Sequence, residues 1–242
     1  MGKIELTDVT LVPLTSVELE ATITAMERSC RGVQFGAVKL FSPEKRQSDQ
    51  IEYEWIEIDR IDLSGYNRFV IERLGQYIKT EYCLIVQADG FVTNHHLWKD
   101  SFLDYDYIGA PWSKVVQCVD QSGKPSSHEF KWNRVGNGGF SLRSRRFLEF
   151  SSRHTLDGLK RASGGYHLKQ EDAFLCDYLY SSAIASGIKY APMEIAAEFS
   201  IEAPLGIAGR NPTQTFGFHG KPWMPYVENY FNLIDFDPGV QG

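Results

Sequence analysis

The chain has 242 residues, 43% of them hydrophobic and 23% charged, with a formal net charge of −6. That is an ordinary globular composition, long enough for one large α/β domain with a substantial core. No basic block stands out, which argues against nucleic-acid binding through a broad electrostatic footprint.

The amino terminus, Met1 to Val12, has no basic stretch followed by a long apolar one, so it does not read as a signal peptide. No apolar run approaches the length of a membrane span. Cys30, Cys83, Cys118 and Cys176 are scattered and form no Cys-x-x-Cys pair. The chain therefore reads as cytoplasmic with reduced thiols. Any work at the inner face of a membrane would need a partner domain or protein, or the substrate itself, to bring it there.

Val9 to Leu14 is an apolar run expected as the first strand, ending in Pro13-Leu14-Thr15-Ser16. Ser16 is the expected cap of a helix from Val17 to about Cys30, with Glu18 and Glu20 in its first turn. Gln34 to Phe41 predicts a second strand, stopped by Ser42-Pro43, and Glu44 to Gln50 a loop. Tyr53 to Ile61 alternates apolar and charged residues, a third strand. Ser64 is expected to cap a helix running through Tyr77. Tyr82 to Val86 is a buried strand, followed by Gln87-Ala88-Asp89-Gly90.

This order implies an α/β fold, a mostly parallel central sheet flanked by helices. Ligands then bind at the carboxyl ends of the strands, which puts Pro13 to Ser16 and Gln87 to Gly90 at one rim. The second half reads as an aromatic, acidic stretch (Trp98 to Trp112), then a polar loop (Val119 to Glu129). A glycine turn and strand (Arg134 to Leu142) follow, then helices at Arg145 to about Ser152 and about Lys169 to Ser186. The tail from Pro204 has little periodicity. One domain is expected over residues 1–242, in two halves, 1–92 and 93–242, the first of them carrying the rim.

Asp89 directly follows a buried strand. A hard divalent cation takes oxygen ligands and bridges phosphates, so Asp89 suits a metal site; otherwise Asp89-Gly90 is only a turn. Glu171 and Asp172 head an apolar helix, where the helix dipole alone favours acids. The other reading is a general base that takes the proton of a hydroxyl, which position alone favours less than the dipole. Arg134 to Arg143 carries three glycines around Asn137, giving close backbone approach to a ligand or a tight turn entering a strand. His219 lies between glycines in Phe216 to Lys221 and reads as a metal ligand or a packed loop residue, and Lys221 could meet a phosphate. His95-His96 fit a helix start or an acceptor wall better than a metal site. Trp98, Tyr105, Tyr107, Trp112, Trp132, Trp223 and Tyr226 could stack on sugars or serve as core.

Taken in order, Tyr82 to Val92, Tyr107-Ile-Gly-Ala-Pro-Trp112, Gly136-Asn-Gly-Gly-Phe-Ser-Leu-Arg143, Glu171-Asp172 and Phe218-His219-Gly220-Lys221 resemble a family catalogued as a domain of unknown function. Its members are similar to glycosyltransferases of the GT-A fold, found in surface-polysaccharide gene sets; Tyr66-Asn-Arg-Phe69 also fits. The resemblance implies transfer of a hexose from a nucleotide-diphosphate sugar, a UDP-sugar for preference, to a saccharide or lipid-linked saccharide hydroxyl. It puts Gln87-Ala88-Asp89 where an Asp-x-Asp metal motif stands, with Gln87 departing from the acidic pattern. It puts Pro13, Leu14 and Thr15 beside base and ribose, Asn67 and Arg68 near the nucleotide, and Gly138 and Gly139 under the donor sugar. Asp172 would be the base of an inverting reaction and Glu171 would touch donor or acceptor. His219 would complete the shell of a weakly held Mn²⁺ or Mg²⁺, with Lys221 near the phosphates.

Two other classes compete. A non-catalytic nucleotide-sugar or polysaccharide binding module would keep the rim but need no base. A sugar nucleotidyltransferase would carry a Gly-rich, basic loop after the first strand, where this chain has Pro-Leu-Thr-Ser.

Overall fold

The structure, a computed structural model, describes residues 2–119, 124–130, 133–155, 170–202 and 210–236. Strand β1 (Ile4–Pro13) leads into helix α1 (Leu19–Gly32) and strand β2 (Val33–Ser42), which pairs parallel to β1. Strand β3 (Glu54–Glu57) lies parallel to β2. Helix α2 (Leu63–Glu72) then crosses back to strand β4 (Tyr82–Val86), parallel to β1 on its other side. Past β4 come the short strands β5 (Tyr107–Ile108) and β6 (Ala110–Pro111), then β7 (Val115–Val119) and β8 (Pro125–Glu129), which pair as an antiparallel ladder. Strand β9 (Val135–Gly136) pairs with β6, and β10 (Ser141–Ser144) enters the main sheet antiparallel between β4 and β5. The main sheet has six strands in the order β3-β2-β1-β4-β10-β5, with β10 the single reversed strand.

Both faces of this sheet are covered, so its central strands are apolar on both sides. On β4, Leu84 and Val86 pack with Leu11, Met26 and Phe140 on one face. Cys83 and Ile85 pack with Val12, Phe41, Phe69 and Leu148 on the other. Helix α3 (Arg145–Ser151) follows β10 directly and is capped by the Ser144 hydroxyl. Helix α4 (Glu171–Ala173) continues through a π turn over Phe174–Tyr178 into α5 (Tyr180–Ala185). Helix α6 (Met193–Phe199), strand β11 (Ser200–Glu202), strand β12 (Gly217–His219) and helix α7 (Met224–Phe236) complete the fold.

Several local expectations change. Ser16 does not cap α1: the N-cap is Glu18, which makes no side-chain capping bond, and the Thr15 hydroxyl accepts from the N–H groups of Val17 and Glu18 in the turn before the helix. Ser16 instead accepts from Ile61 N. Asp62, not Ser64, caps α2 by accepting from Gly65 N, and α2 ends at Glu72, with a separate 3-10 turn over Leu74–Tyr77. Strand β3 is shorter than its alternating pattern. It is an edge strand with one partner, and its ladder stops at Ser42↔Glu57, just before Pro43. Part of the expected polar loop is β8, and the tail contains a 13-residue helix. The expected helix start at Lys169 lies outside the described residues, as do Trp132 and Pro204. Cys30, Cys83 and Cys176 are buried free thiols. Among the described residues, no helix is long and apolar enough to cross a membrane.

Candidate active site

Strand β4 runs out at Val86, and the chain folds back at once. Gln87 N donates to Gly90 O (2.9 Å) and Gly90 N to Gln87 O (3.1 Å), a tight turn that holds Gln87 and Asp89 at the carboxyl edge of the sheet. The end of β1 lies alongside. Between them opens a cleft of about 280 Å³, lined by Leu14, Thr15 and Ser16 on one side and Gln87, Ala88 and Asp89 on the other. Asp62 and Tyr66, at the start of α2, line it too. A second hollow of about 370 Å³ shares Thr15 to Glu18 and extends toward Arg46 and Arg60.

The C-terminal segment brings His219 to this edge. β12 lies parallel to β11 with Glu202 opposite His219, and Gly220 (φ 117°) turns the chain so that its N–H reaches Asp89 O at 2.8 Å. Glycine is needed there because side chains disfavour that backbone region. The imidazole then sits among three polar groups. Its Nδ1 is 3.3 Å from Glu202 Oε1, and its Nε2 is 3.2 Å from Gln87 Oε1 and 3.6 Å from Asp89 Oδ1. Burial works against its charge, but the Glu202 hydrogen bond and the charges of Glu202, Asp89 and Asp172 outweigh it, so its pKa is raised.

These donors fit a divalent cation. Cis ligands on a metal with bonds of about 2.1 Å stand about 3 Å apart, near the 3.2 Å between His219 Nε2 and Gln87 Oε1 and within a small shift of the 3.6 Å to Asp89 Oδ1. Metal-bound histidines usually donate their second ring N–H to a carboxylate, the place Glu202 takes here. Among the described residues, no three His, Cys, Asp or Glu side chains group as a metal site, and the third donor here is the Gln87 amide.

Gly138 and Gly139 connect this set to Asp172. Gly138 N donates to Asp172 Oδ2 at 2.9 Å, and Ala173 N to Asp172 Oδ1 at 2.7 Å. A Cβ on Gly139 would fall 2.2 Å from His219 Nε2 and 2.8 Å from Gln87 Oε1. One on Gly138 would fall 1.7 Å from Glu171 Oε1. The glycines are thus required by close approach. The turn they form is set by Asn137, buried and left-handed (φ 74°), a conformation that costs free energy and tends to occur at functional positions. The Asp172 carboxyl is pushed up from 3.8 to about 6. Burial is the main cause, the Glu171 and Glu202 charges add to it, and the two backbone N–H groups oppose it.

Glu171 faces inward. It is 2% exposed and pairs with the wholly buried Arg143 at 2.9 Å. Its backbone N–H donates to Asn67 Oδ1 at 3.2 Å, so α2 and β10 together fix the start of α4.

Of the expected site residues, Leu14, Thr15, Gln87, Ala88 and Asp89 line the cleft. His219, Gly138, Gly139 and Asp172 adjoin its Gln87–Asp89 end. Pro13 is buried and outside the lining, Asn67 is buried against Glu171, and Arg68 is exposed on α2 outside the lining. Lys221 is exposed and reaches Glu18 Oε1 of the cleft wall at 3.1 Å. His95 and His96 lie ring against ring, tilted by 39°, in a 3-10 turn (His95–Leu97). Sequence reading missed Glu202, one of three acids in the stretch Glu194 to Glu202, whose contact with His219 comes through the β11–β12 pairing. It also missed the Arg143–Glu171 pair; the one available signal was a charged residue inside the apolar strand Phe140 to Arg143.

Fold and site define an α/β protein whose polar cleft opens at the carboxyl edge of its parallel strands. The chain belongs to the family described as "Protein of unknown function (DUF5672)", whose model matches residues 50–219. No curated protein matches it. Among solved structures, it is similar to a glycosyltransferase involved in the glycosylation of the major capsid of PBCV-1. That similarity has 12% identity and a TM-score of 0.48, over 93% of this chain and 98% of the other.

Proposed function

We propose that this protein is a glycosyltransferase that moves a sugar from a nucleotide-diphosphate donor to a hydroxyl acceptor with inversion. One observation carries the reading. Two consecutive glycines join a cation-type donor set to a carboxylate of raised pKa, Gly138 holding Asp172 and Gly139 facing His219 and Gln87. A transfer between a leaving diphosphate and an attacking hydroxyl needs these two functions a short distance apart.

Asp89, Gln87 and His219 are the residues that would hold a divalent cation, Mn²⁺ or Mg²⁺; such an ion neutralises charge on the departing diphosphate. The Leu14–Ser16 wall and Tyr66 hold the nucleoside part in the cleft. The backbone at Gly138-Gly139, bare of side chains, lets the donor sugar lie against it. Asp172 takes the proton of the acceptor hydroxyl as its oxygen bonds to the anomeric carbon. The bond from that carbon to the diphosphate oxygen breaks, and the diphosphate leaves with the electron pair. Attack from the Asp172 side, opposite the leaving group, inverts the anomeric configuration. Its pKa near 6 makes Asp172 a better base than an ordinary Asp while leaving it ionised at neutral pH. A UDP-sugar donor, a saccharide or lipid-linked saccharide acceptor and a role in surface polysaccharide synthesis are the substrate side of the same proposal. So is a single functional unit over residues 1–242.

Incubation with a panel of labelled UDP-sugars, with and without saccharide acceptors, tests it. Transfer with product NMR showing inversion is the expected result. Nucleotide-sugar binding without turnover would make the chain a binding module. Retention of configuration would remove Asp172 as the base.

A further inference from the structure

The cation site proposed above uses a glutamine and a histidine, and neither presents a fixed ligand atom. A glutamine can offer either its carbonyl oxygen or its NH₂ group, and a neutral histidine either a lone pair or an N–H at Nε2. Something must set both.

The groups behind them do so. Tyr66 stands behind Gln87, and the amide NH₂ donates to its hydroxyl at 2.7 Å. With the nitrogen engaged there, Oε1 faces His219. Glu202 stands behind His219, 3.3 Å from Nδ1, and as an acceptor there it holds the Nδ1 proton, so that Nε2, which faces Gln87 Oε1 at 3.2 Å and Asp89 Oδ1 at 3.6 Å, is the nitrogen that can give up its proton to a cation. Glu202 is itself held, because the Trp112 indole N–H donates to its other oxygen at 2.7 Å. Trp112 is not free to move. Its ring stacks on Phe130 with centroids 4.4 Å apart and rests on Gly136, where a Cβ would fall 1.9 Å from the indole.

We propose that Tyr66 and Glu202, the latter seated by Trp112, are positioning residues that turn Gln87 Oε1 and His219 Nε2 toward Asp89. They thereby make a divalent-cation site in which glutamine serves as an oxygen ligand. This inference rests on the cation part of the proposed function. It gives the Trp112 indole and the Tyr66 hydroxyl roles in the binding site that cleft lining alone does not.

The test uses the full chain without nucleotide. Mn²⁺ affinity is measured by electron paramagnetic resonance for wild type, Glu202→Ala, Tyr66→Phe and Trp112→Phe. The His219 tautomer is read by ¹⁵N NMR on metal-free protein at a pH where the ring is neutral. Outer-shell loss typically weakens metal binding about 10–100-fold. That loss is expected for Glu202→Ala, with smaller losses for Tyr66→Phe and Trp112→Phe. Wild type should show the Nδ1–H tautomer and Glu202→Ala a mixture. If the Glu202→Ala fold is compromised in thermal unfolding, Trp112→Phe carries the comparison, since it keeps the ring stack. Equal Mn²⁺ affinity in all four proteins, or an Nε2–H tautomer in wild type, overturns the positioning roles. A wild type that binds no Mn²⁺ overturns the cation site itself, and the tautomer, measured without metal, still decides whether Glu202 sets the ring.

Discussion

Asp172 and Glu171 are neighbours in sequence, yet their carboxylates face different surroundings. Glu171 pairs with Arg143 at 2.9 Å in the core, while Asp172 is part-exposed and, among the described residues, is hydrogen-bonded by backbone N–H groups alone. One charge is compensated and the other is not. Their substitutions should therefore act in opposite directions on stability.

For Glu171→Gln, Arg143 is left as a buried cation without its counter-charge. Breaking a buried pair this way typically costs about 3–5 kcal/mol. A marked fall in melting temperature is expected, with loss of activity following loss of fold. Denaturant unfolding checks it, and an unchanged midpoint would mean that the pair contributes little.

Asp172→Asn should do the reverse. A carboxyl whose pKa is raised in the fold binds its proton more tightly there, so its ionised form costs stability. The cost is absent below the ordinary value of 3.8 and fully present above about 6. Asparagine removes it. Asparagine keeps one of the two acceptor oxygens, a loss common to every pH, so the gain appears as a difference: the variant should fare about 1–2 kcal/mol better at pH 8 than at pH 3.5, discounted for part-exposure. Unfolding curves at the two pH values measure the difference. An equal effect at both would show that Asp172 is not perturbed.

The same substitution should lower turnover by about 10²–10⁴-fold with nucleotide binding nearly unchanged. Wild-type activity should rise with pH through about 6 as Asp172 ionises, and that limb should vanish from the residual activity of the variant. A limb persisting in Asp172→Asn would assign it to another group.

How much of this was legible in the sequence follows from how local each feature is. Strand β4 was predicted at its observed bounds because a short apolar run ending in a turn needs only its own residues. The shared rim of the Leu14–Ser16 and Gln87–Asp89 segments followed from parallel topology. The helix caps were not legible: Ser16, Thr15, Asp62 and Ser64 are all able cappers, and backbone geometry selects among them. Glu202 was invisible because it meets His219 only through a ladder between distant segments. Asn67 looked like a nucleotide contact, but its side chain accepts from Glu171 N, 104 positions away.

The two glycines should respond differently to alanine. At Gly138 the new Cβ would meet Glu171 Oε1, the oxygen bonded to Arg143, which cannot yield without breaking the buried pair. Gly138→Ala should therefore destabilise the fold. At Gly139 the Cβ would meet the imidazole of His219, which is part-exposed and can turn aside. Gly139→Ala should keep most of its stability and lose Mn²⁺ and nucleotide binding. Melting curves paired with binding isotherms separate the two cases, and a Gly139→Ala protein that binds normally would place the ligand elsewhere.

The remaining prediction concerns Asp89 and His219. Asp89 is the one carboxylate of the proposed donor set, carried on the tight turn after β4, whereas His219 arrives on a segment tied to that turn by Gly220 N–H to Asp89 O. Asp89→Asn keeps the shape and the backbone tie, so the fold should stand while the charge that attracts a cation is gone. Mn²⁺-supported binding of UDP, followed by calorimetry, should fall to the level that wild type shows in excess chelator. His219→Ala should weaken the same binding while shifting the melting temperature little, because the ring's polar partners regain water at the cleft edge. If UDP binds wild type equally with Mn²⁺ and with chelator, the cation has no part in donor binding. In that case Asp89 is a turn residue and His219 a packed histidine held by Glu202.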